Sequence, residues 1–330
     1  MKVLVTGANG FLGSWLTQSL VENGHEVFAL VRDGSNLSEL QGVSCNYLYG
    51  DITDLESLNK SFGGIDTVFH LAGLIAYKKS DRKKMEAINV GGTANVIAAC
   101  LSNKVRRLVY LSSVTAIGAS VGPDSILNED SPYTIQNLDL GYFETKRKAE
   151  ALVKNACIRN GLDCVILNPS TIYGPGDAKK GSRKTQVKVA QGKFKFFTSG
   201  GVSVVAVEDV VEAILSAWKN GRSGERYILS GENITIQKLF ELIAAAAGAP
   251  PPKIKIPNFV IFLLGWIGDA LERLGLKGSL STENAWTATM YHWFDNSKAR
   301  KELGFSPRPA HDAIQGSVNW MKKNGLLNSL

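Results

Sequence analysis

The first half of the chain alternates short β-branched runs with longer amphipathic segments, and this alternation restricts the fold more than any other feature. Residues 3–6, 26–31, 45–49, 67–71, 108–112 and 164–167 read as buried strands. Helical periodicity fills 11–23, 54–62, 82–102 and 141–160 between them. Strand and helix in strict succession require right-handed crossovers and a parallel sheet covered on both faces. The expected fold is therefore α/β, a doubly wound parallel sheet over residues 1–170.

After Asn168-Pro169 the rhythm breaks at Gly174-Pro175-Gly176. Residues 202–207 and 226–229 read as strands with a helix between them, so the chain is expected to return to the sheet at about 202–231. From Thr235 onward the pattern is mostly helical, which makes 171–330 a smaller, mostly helical substrate domain interleaved with the first. With 330 residues, 44% of them apolar, the chain buries a sizeable core without disulfides or metals. Cys45, Cys100, Cys157 and Cys164 lack the spacing of a zinc site or redox pair, so they read as reduced thiols and no metal is expected. The residues from Met1 to Gly7 pass straight into a glycine-rich turn with no room for a signal peptide, and a cytoplasmic location is expected. The greasiest run, 259–267, is too short to span a membrane, and no motif points to nucleic acid.

Thr6-Gly7-Ala8-Asn9-Gly10-Phe11-Leu12-Gly13 lies between the first strand and the first helix. Backbone amides and a helix N-terminus there face a dinucleotide pyrophosphate, and glycines permit the tight turn and the close approach. The end of the second strand then selects the dinucleotide, since an acid accepts from a ribose hydroxyl whereas an arginine accommodates a 2′-phosphate. Here the strand ends Ala29-Leu30-Val31-Arg32-Asp33. With Val31 at the tip, Arg32 is free to pair with a phosphate, which favours NADP. Asp33 beside it leaves NAD as the alternative.

Tyr142 and Lys146 stand at i and i+4 near the start of a helix and project from one face. A phenol that acts as an acid–base group at neutral pH must fall from about 10 toward 7, a change of about 4 kcal/mol, and a neighbouring ammonium and a nicotinamide cation favour that fall. Ser112-Ser113 ends a strand on the side where open α/β sheets bind ligands, where a hydroxyl can hold a carbonyl oxygen.

These motifs, with Gly50-Asp51-Ile52-Thr53-Asp54, His70-Leu71-Ala72-Gly73, Asn89-Val90-Gly91-Gly92-Thr93, Tyr110-Leu111-Ser112-Ser113 and Asn168-Pro169-Ser170, follow one another in the order of the extended short-chain dehydrogenase/reductases. The chain resembles that NAD-dependent epimerase/dehydratase family over essentially its whole length. Gly10-Phe-Leu-Gly-Ser-Trp-Leu16 and Val31-Arg-Asp33 are similar to its dihydroflavonol 4-reductase branch. The plant members carry a second basic residue shortly after the arginine, whereas 35–59 here contains none. The resemblance implies that Gly7, Asn9, Gly10, Phe11, Leu12, Gly13, Leu71, Ala72 and Gly73 line the cofactor phosphates and ribose. It further implies that Asp51 and Ile52 meet the adenine and Pro169 the nicotinamide. Ser113, which matches the family's serine better than Ser112 when counted back from Gly118, polarises the carbonyl. Tyr142 donates the proton, and Lys146 lowers the tyrosine pKa and binds the nicotinamide ribose. A homodimer through the helices near 82–102 and 141–160 is implied as well.

The function expected is NADP-dependent reduction of a ketone or aldehyde to an alcohol. The alternative is a nucleotide-sugar epimerase or dehydratase with retained NAD, which usually has an acid where Val31 stands. A formal charge of +7 and two basic stretches, 78–84 and 179–195, leave open an anionic substrate drawn by converging lysines or a merely solvated surface. His70 reads as structural. Phe259, Phe262 and Trp266, at helical spacing, read as core, with a substrate pocket or an apolar surface patch as the alternative.

Overall fold

The computed structural model describes residues 1–178, 183–276 and 280–327. Its first half runs β1 (Lys2–Thr6), α1 (Phe11–Glu22), β2 (Glu26–Val31), β3 (Asn46–Tyr49), α2 (Leu55–Ser61), β4 (Thr67–His70), α3 (Arg82–Met85), a π-helical turn (Glu86–Gly91), α4 (Gly92–Ser102), β5 (Arg107–Leu111), α5 (Gly141–Asn160) and β6 (Cys164–Pro169). The chain continues through β7 (Thr171–Tyr173), α6 (Lys184–Ala190), β8 (Phe196–Phe197), β9 (Gly201–Ala206), α7 (Val207–Asn220), β10 (Arg226–Leu229), β11 (Glu232–Thr235) and α8 (Ile236–Ala247). It closes with β12 (Ile254–Lys255), α9 (Asn258–Arg273), α10 (Thr282–Thr289), β13 (Tyr291–His292), α11 (Ser297–Leu303) and α12 (Ala310–Lys323).

Seven strands form one parallel sheet in the order β3-β2-β1-β4-β5-β6-β10. Alternation along β1 explains its two covered faces. Val3 and Val5 pack with Leu16 and Leu20 of α1 and Val210, Ile214 and Trp218 of α7. Leu4 points the other way, into a cluster with Leu58 of α2, Val96 of α4 and Val153 of α5. Strand order reverses between β1 and β4, which opens a crevice at the carboxyl ends of those strands.

Two expectations need correction. Residues 202–207 were expected to rejoin the main sheet, but β9 lies in a separate four-stranded sheet between β11 and β13, with β7 also paired to it. All six residues of β9 are buried, and a strand buried on both faces does not encode which sheet will cover it. The chain returns only afterwards, when α7 crosses the main sheet and β10 pairs with β6. The second correction concerns 82–102, which is interrupted by the π-helical turn at Glu86–Gly91. That turn directs the Asn89 side chain inward, where it bridges both backbone groups of Leu74, at 2.7 and 2.9 Å, and Thr145 Oγ1 at 3.1 Å.

The second half is mostly helical but built around β9, whose inner residues pack with Leu239 and Ile243 of α8 and Ile314 and Val318 of α12. Phe259 and Trp266 lie on the surface instead of in a core, and only Phe262 of the three is half-buried. Among the described residues no helix is long and apolar enough to cross a membrane.

The glycine turn at β1 is set by sterics. A Cβ on Gly13 would stand 2.1 Å from Gly7 O, whereas one on Gly63 would meet nothing within 4 Å. Gly13→Ala should therefore lower the unfolding free energy by about 1–3 kcal/mol through a forced backbone shift, while Gly63→Ala stays within about 0.5 kcal/mol. Urea unfolding of the two variants checks this, and equal stabilities would contradict the packing described.

Candidate active site

At the switch point the backbone is packed almost without side chains. Gly7 has φ +73°, and a Cβ there would sit 2.8 Å from Ala72 N. Gly10 N donates to Gly7 O at 2.9 Å, Leu71 N to Thr6 O at 3.2 Å, and Ala72 N to Thr6 Oγ1 at 3.2 Å. Gly7, Asn9, Gly10, Phe11, Leu12 and Gly13 thus share one cradle with Leu71, Ala72 and Gly73. The first turn of α1 carries no acidic residue, so the amides and the positive helix end face that cradle unopposed. A bulky side chain is sterically refused where a pyrophosphate would lie, and the residues present fit a dinucleotide.

Arg32 is exposed and is the first residue beyond β2, which ends at the buried Val31. Asp33 is exposed too, its carboxylate accepting from Gly34 N at 2.9 Å. Gly50 N donates to Val31 O at 3.0 Å, which brings Asp51 and Ile52 to the same sheet edge. The Asp51 carboxylate accepts from Thr53 N and Oγ1, both at 2.8 Å, and Ile52 is buried where a Cβ on Gly92 would touch its side chain.

The second group of residues gathers at the ends of β5 and β6. Ser113 caps a short 3-10 turn, its Oγ accepting from Thr115 N at 3.2 Å, and its hydroxyl lies close enough to the Tyr142 phenol to favour the ionised form. Ser112 points the opposite way, donating to the Glu150 carboxylate at 2.7 Å. Tyr142 and Lys146 occupy the first turns of α5 and are 6% and 7% exposed. Lys146 Nζ donates to Leu111 O at 3.1 Å, 5.7 Å from the centre of the Tyr110 ring, and would be 3.5 Å from a Cβ on Gly73. The lysine therefore joins the cradle to the tyrosine. Pro169 ends β6, beside the buried Asn168.

The electrostatics differ from expectation at the tyrosine. Burial pushes the Tyr142 phenol up, with the Tyr77 phenol adding to the rise and the Ser113 hydrogen bond opposing it. Desolvation thus outweighs the acidifying effect of Ser113. Burial lowers the Lys146 ammonium to about 8, against the pull of Glu150.

Sequence reasoning missed Glu150, although its position four residues after Lys146 puts it on the same helix face. Besides Ser112, it accepts from Asn168 Nδ2 at 2.7 Å and pairs with Arg226 and Lys154, each at 3.2 Å. Burial alone would raise its carboxyl, but Lys154, Ser112, Arg226 and Asn168 hold it below the ordinary carboxylate range. Tyr77 was missed as well. It lies edge-on to Tyr142 with ring centres 6.3 Å apart, on a loop without periodicity to announce it.

The basic stretches have partners of their own. Lys79 pairs with Asp269 at 3.3 Å, and Arg183 pairs with Asp177 at 3.5 Å while lying 3.8 Å over the Tyr173 ring. Lys184, Lys188, Lys193 and Lys195 are exposed, whereas Lys179 and Lys180 lie outside the described residues.

Comparison with known proteins follows the same lines. The family model "NAD dependent epimerase/dehydratase family" matches residues 3–230. The chain belongs to this family. It is 31% identical to sterol demethylase protein B of Methylococcus capsulatus, over 99% of this chain and 100% of that one. It is 30% identical to a Synechocystis protein carried as a candidate dihydroflavonol 4-reductase, over 98% and 96% of the two chains. The crystal structure of gox2253 superposes with a TM-score of 0.87 at 32% identity, covering 98% of this chain and 99% of that one. The cofactor class common to the family is thus a nicotinamide dinucleotide.

His70 is placed under the cradle, its Nδ1 2.7 Å from Thr6 Oγ1 and its Nε2 3.2 Å from Thr93 Oγ1. Burial, aided by the Lys146 charge, lowers its pKa from 6.5 to about 3. Between those values the unfolded chain binds a proton that the folded one refuses, so this contribution to stability is complete above pH 6.5 and lost as pH falls toward 3. His70→Gln should flatten the stability profile between about pH 4 and 6 by up to about 1.4 kcal/mol per pH unit. Denaturant titrations across that range check this, and unchanged slopes would show that His70 is protonated in the folded state.

Proposed function

We propose that this protein is an NADP-dependent oxidoreductase that reduces an apolar ketone or aldehyde to its alcohol. The observation that carries this reading is the gathering of Ser113, Tyr142 and Lys146 at the end of β5 beside the glycine cradle, with Lys146 Nζ on Leu111 O and against Gly73. The dinucleotide, when bound, supplies the hydride. The chain's own residues do the rest. Ser113 donates a hydrogen bond to the carbonyl oxygen, and Tyr142, kept protonated by its burial, gives its phenolic proton to that oxygen as negative charge develops there. The Lys146 ammonium then faces the phenolate left behind and stabilises it. Glu150 acts at one remove, positioning Ser112, Asn168 and hence the strand ends.

Arg32 is proposed to pair with the 2′-phosphate, since the strand tip offers Val31 where an NAD-retaining relative would carry an acid. The apolar substrate class rests on the surroundings of Tyr142: Leu74, Ala76, Tyr133 and Trp286 pack around its cluster. Lys79 and Arg183, already paired with acids, contribute nothing to substrate charge selection in this reading.

Tyr142→Phe should leave NADPH binding almost unchanged and cut turnover about 10²–10⁴-fold, because only the proton transfer is removed. Comparable turnover in variant and parent would sink the assignment. In the cofactor pocket, Arg32→Ala should weaken NADPH by about tenfold or more and leave NADH nearly untouched, as measured by fluorescence titration. Equal weakening of both would show that Arg32 does not read the phosphate.

A further inference from the structure

Large apolar side chains left in water concentrate on α9. Phe259 is 73% exposed, Leu263 52%, Trp266 67% and Ile267 48%, followed just beyond the helix by Leu274 at 75%. Their spacing of four, three, one and seven residues sets them along one stripe of the helix.

The other side of α9 is already packed. A Cβ on Gly268 would lie 1.7 Å from Leu280 O, one on Gly265 3.1 Å from Ser281 O, and Phe262 meets Trp286 with ring centres 4.6 Å apart. The helix therefore cannot roll its outer stripe into the core. No ionisable residue occurs between Lys255 and Asp269.

Basic groups flank both ends of the stripe. Lys253 and Lys255 immediately precede α9 and are exposed, and Lys195 adjoins them through hydrogen bonds from Lys253 N and Ile254 N to its carbonyl, at 3.2 and 3.1 Å. At the far end the 78–84 segment is fastened to α9 by the Lys79–Asp269 pair and by Ser80 N donating to Glu272 at 3.3 Å. Both acids of the helix are thus engaged, while Lys78, Lys83, Lys84 and Arg273 stay exposed.

We propose that this face docks on an anionic lipid bilayer, with α9 lying in the interfacial plane. Phe259, Leu263, Trp266 and Ile267 enter the boundary between headgroups and acyl chains, and the flanking lysines meet lipid phosphates. At 16 residues α9 is about 24 Å long, short of the roughly 30 Å hydrocarbon core, so it lies on the membrane and does not span it. A second copy of the chain is a poorer occupant, because a two-fold contact would bring the same lysines of both copies together. The proposal does not depend on the reaction assigned above.

Flotation of the full chain with vesicles tests it, comparing phosphatidylcholine alone with phosphatidylcholine containing about one third phosphatidylglycerol. The chain should float with the anionic vesicles and be released progressively as salt rises. The double variant Leu263→Ser/Trp266→Ser should lose about tenfold or more in vesicle partitioning, and Lys253→Glu/Lys255→Glu should lose a similar factor, with circular dichroism and NADPH binding retained by both. Absence of flotation with either vesicle, or flotation indifferent to the Leu263/Trp266 changes, would overturn the proposal. So would self-association through the stripe, seen by sedimentation of the parent and lost in the double variant, without vesicle binding.

Discussion

A buried carboxylate ties together the strand ends beside Tyr142 and Lys146. Glu150 receives hydrogen bonds from Ser112 at the end of β5 and Asn168 in β6, and ion pairs from Lys154 on its own helix and Arg226 in β10. An ionised carboxylate out of water costs several kcal/mol without partners, and these four contacts offset that cost. Asn168 also donates to Ser113 O at 2.9 Å, which ties the backbone at the end of β5 to the same cluster. Because Glu150 lies one turn beyond Lys146, the same helix carries Tyr142, the lysine and the carboxylate that ties it to the strand ends. Lys146 remains largely charged at neutral pH, with burial lowering it only to about 8.

The cofactor half depends on a different constraint, the refusal of side chains. Gly7 and Gly13 admit no Cβ because the first turn of α1, the end of β1 and the Leu71–Ala72 backbone already touch. Where the two halves meet, Asn89 replaces sterics with hydrogen bonds. The π-helical turn aims its amide at Leu74 and Thr145, which ties the loop after β4 to α5. Gly73 and Lys146 then approach closely enough that a methyl on the glycine would be in contact with the ammonium.

What could be read from the sequence follows from the range of each signal. The strands of the main sheet and the helices that cover it were legible to within a residue or two, since period and punctuation are local. The glycine turn was legible because its spacing is local as well. By contrast β9 went to the wrong sheet in the sequence reading, because Val202–Ala206 is buried on both faces and its partners lie far along the chain. The π-helical turn left no mark on periodicity, and Tyr77 and Glu150 act through contacts that only the fold creates. The sequence also displays a lysine near Tyr142 but hides the depth of burial, which pushes the phenol up. Trp266 was assigned to the core from spacing alone, which α9 satisfies equally well with the opposite face packed.

The family has both reductase-named and epimerase-named members, and the reduction proposed for this chain differs from an epimerisation in consuming its nucleotide. The decisive measurement is therefore the fate of the nucleotide on purified protein, analysed first for what it carries and then during turnover of an apolar ketone. A reductase built as described leaves purification without tightly held NAD, binds NADPH exchangeably, and consumes one NADPH for each alcohol released. Protein that retains NAD through purification and converts a nucleotide sugar with no net change in nucleotide would contradict that reading.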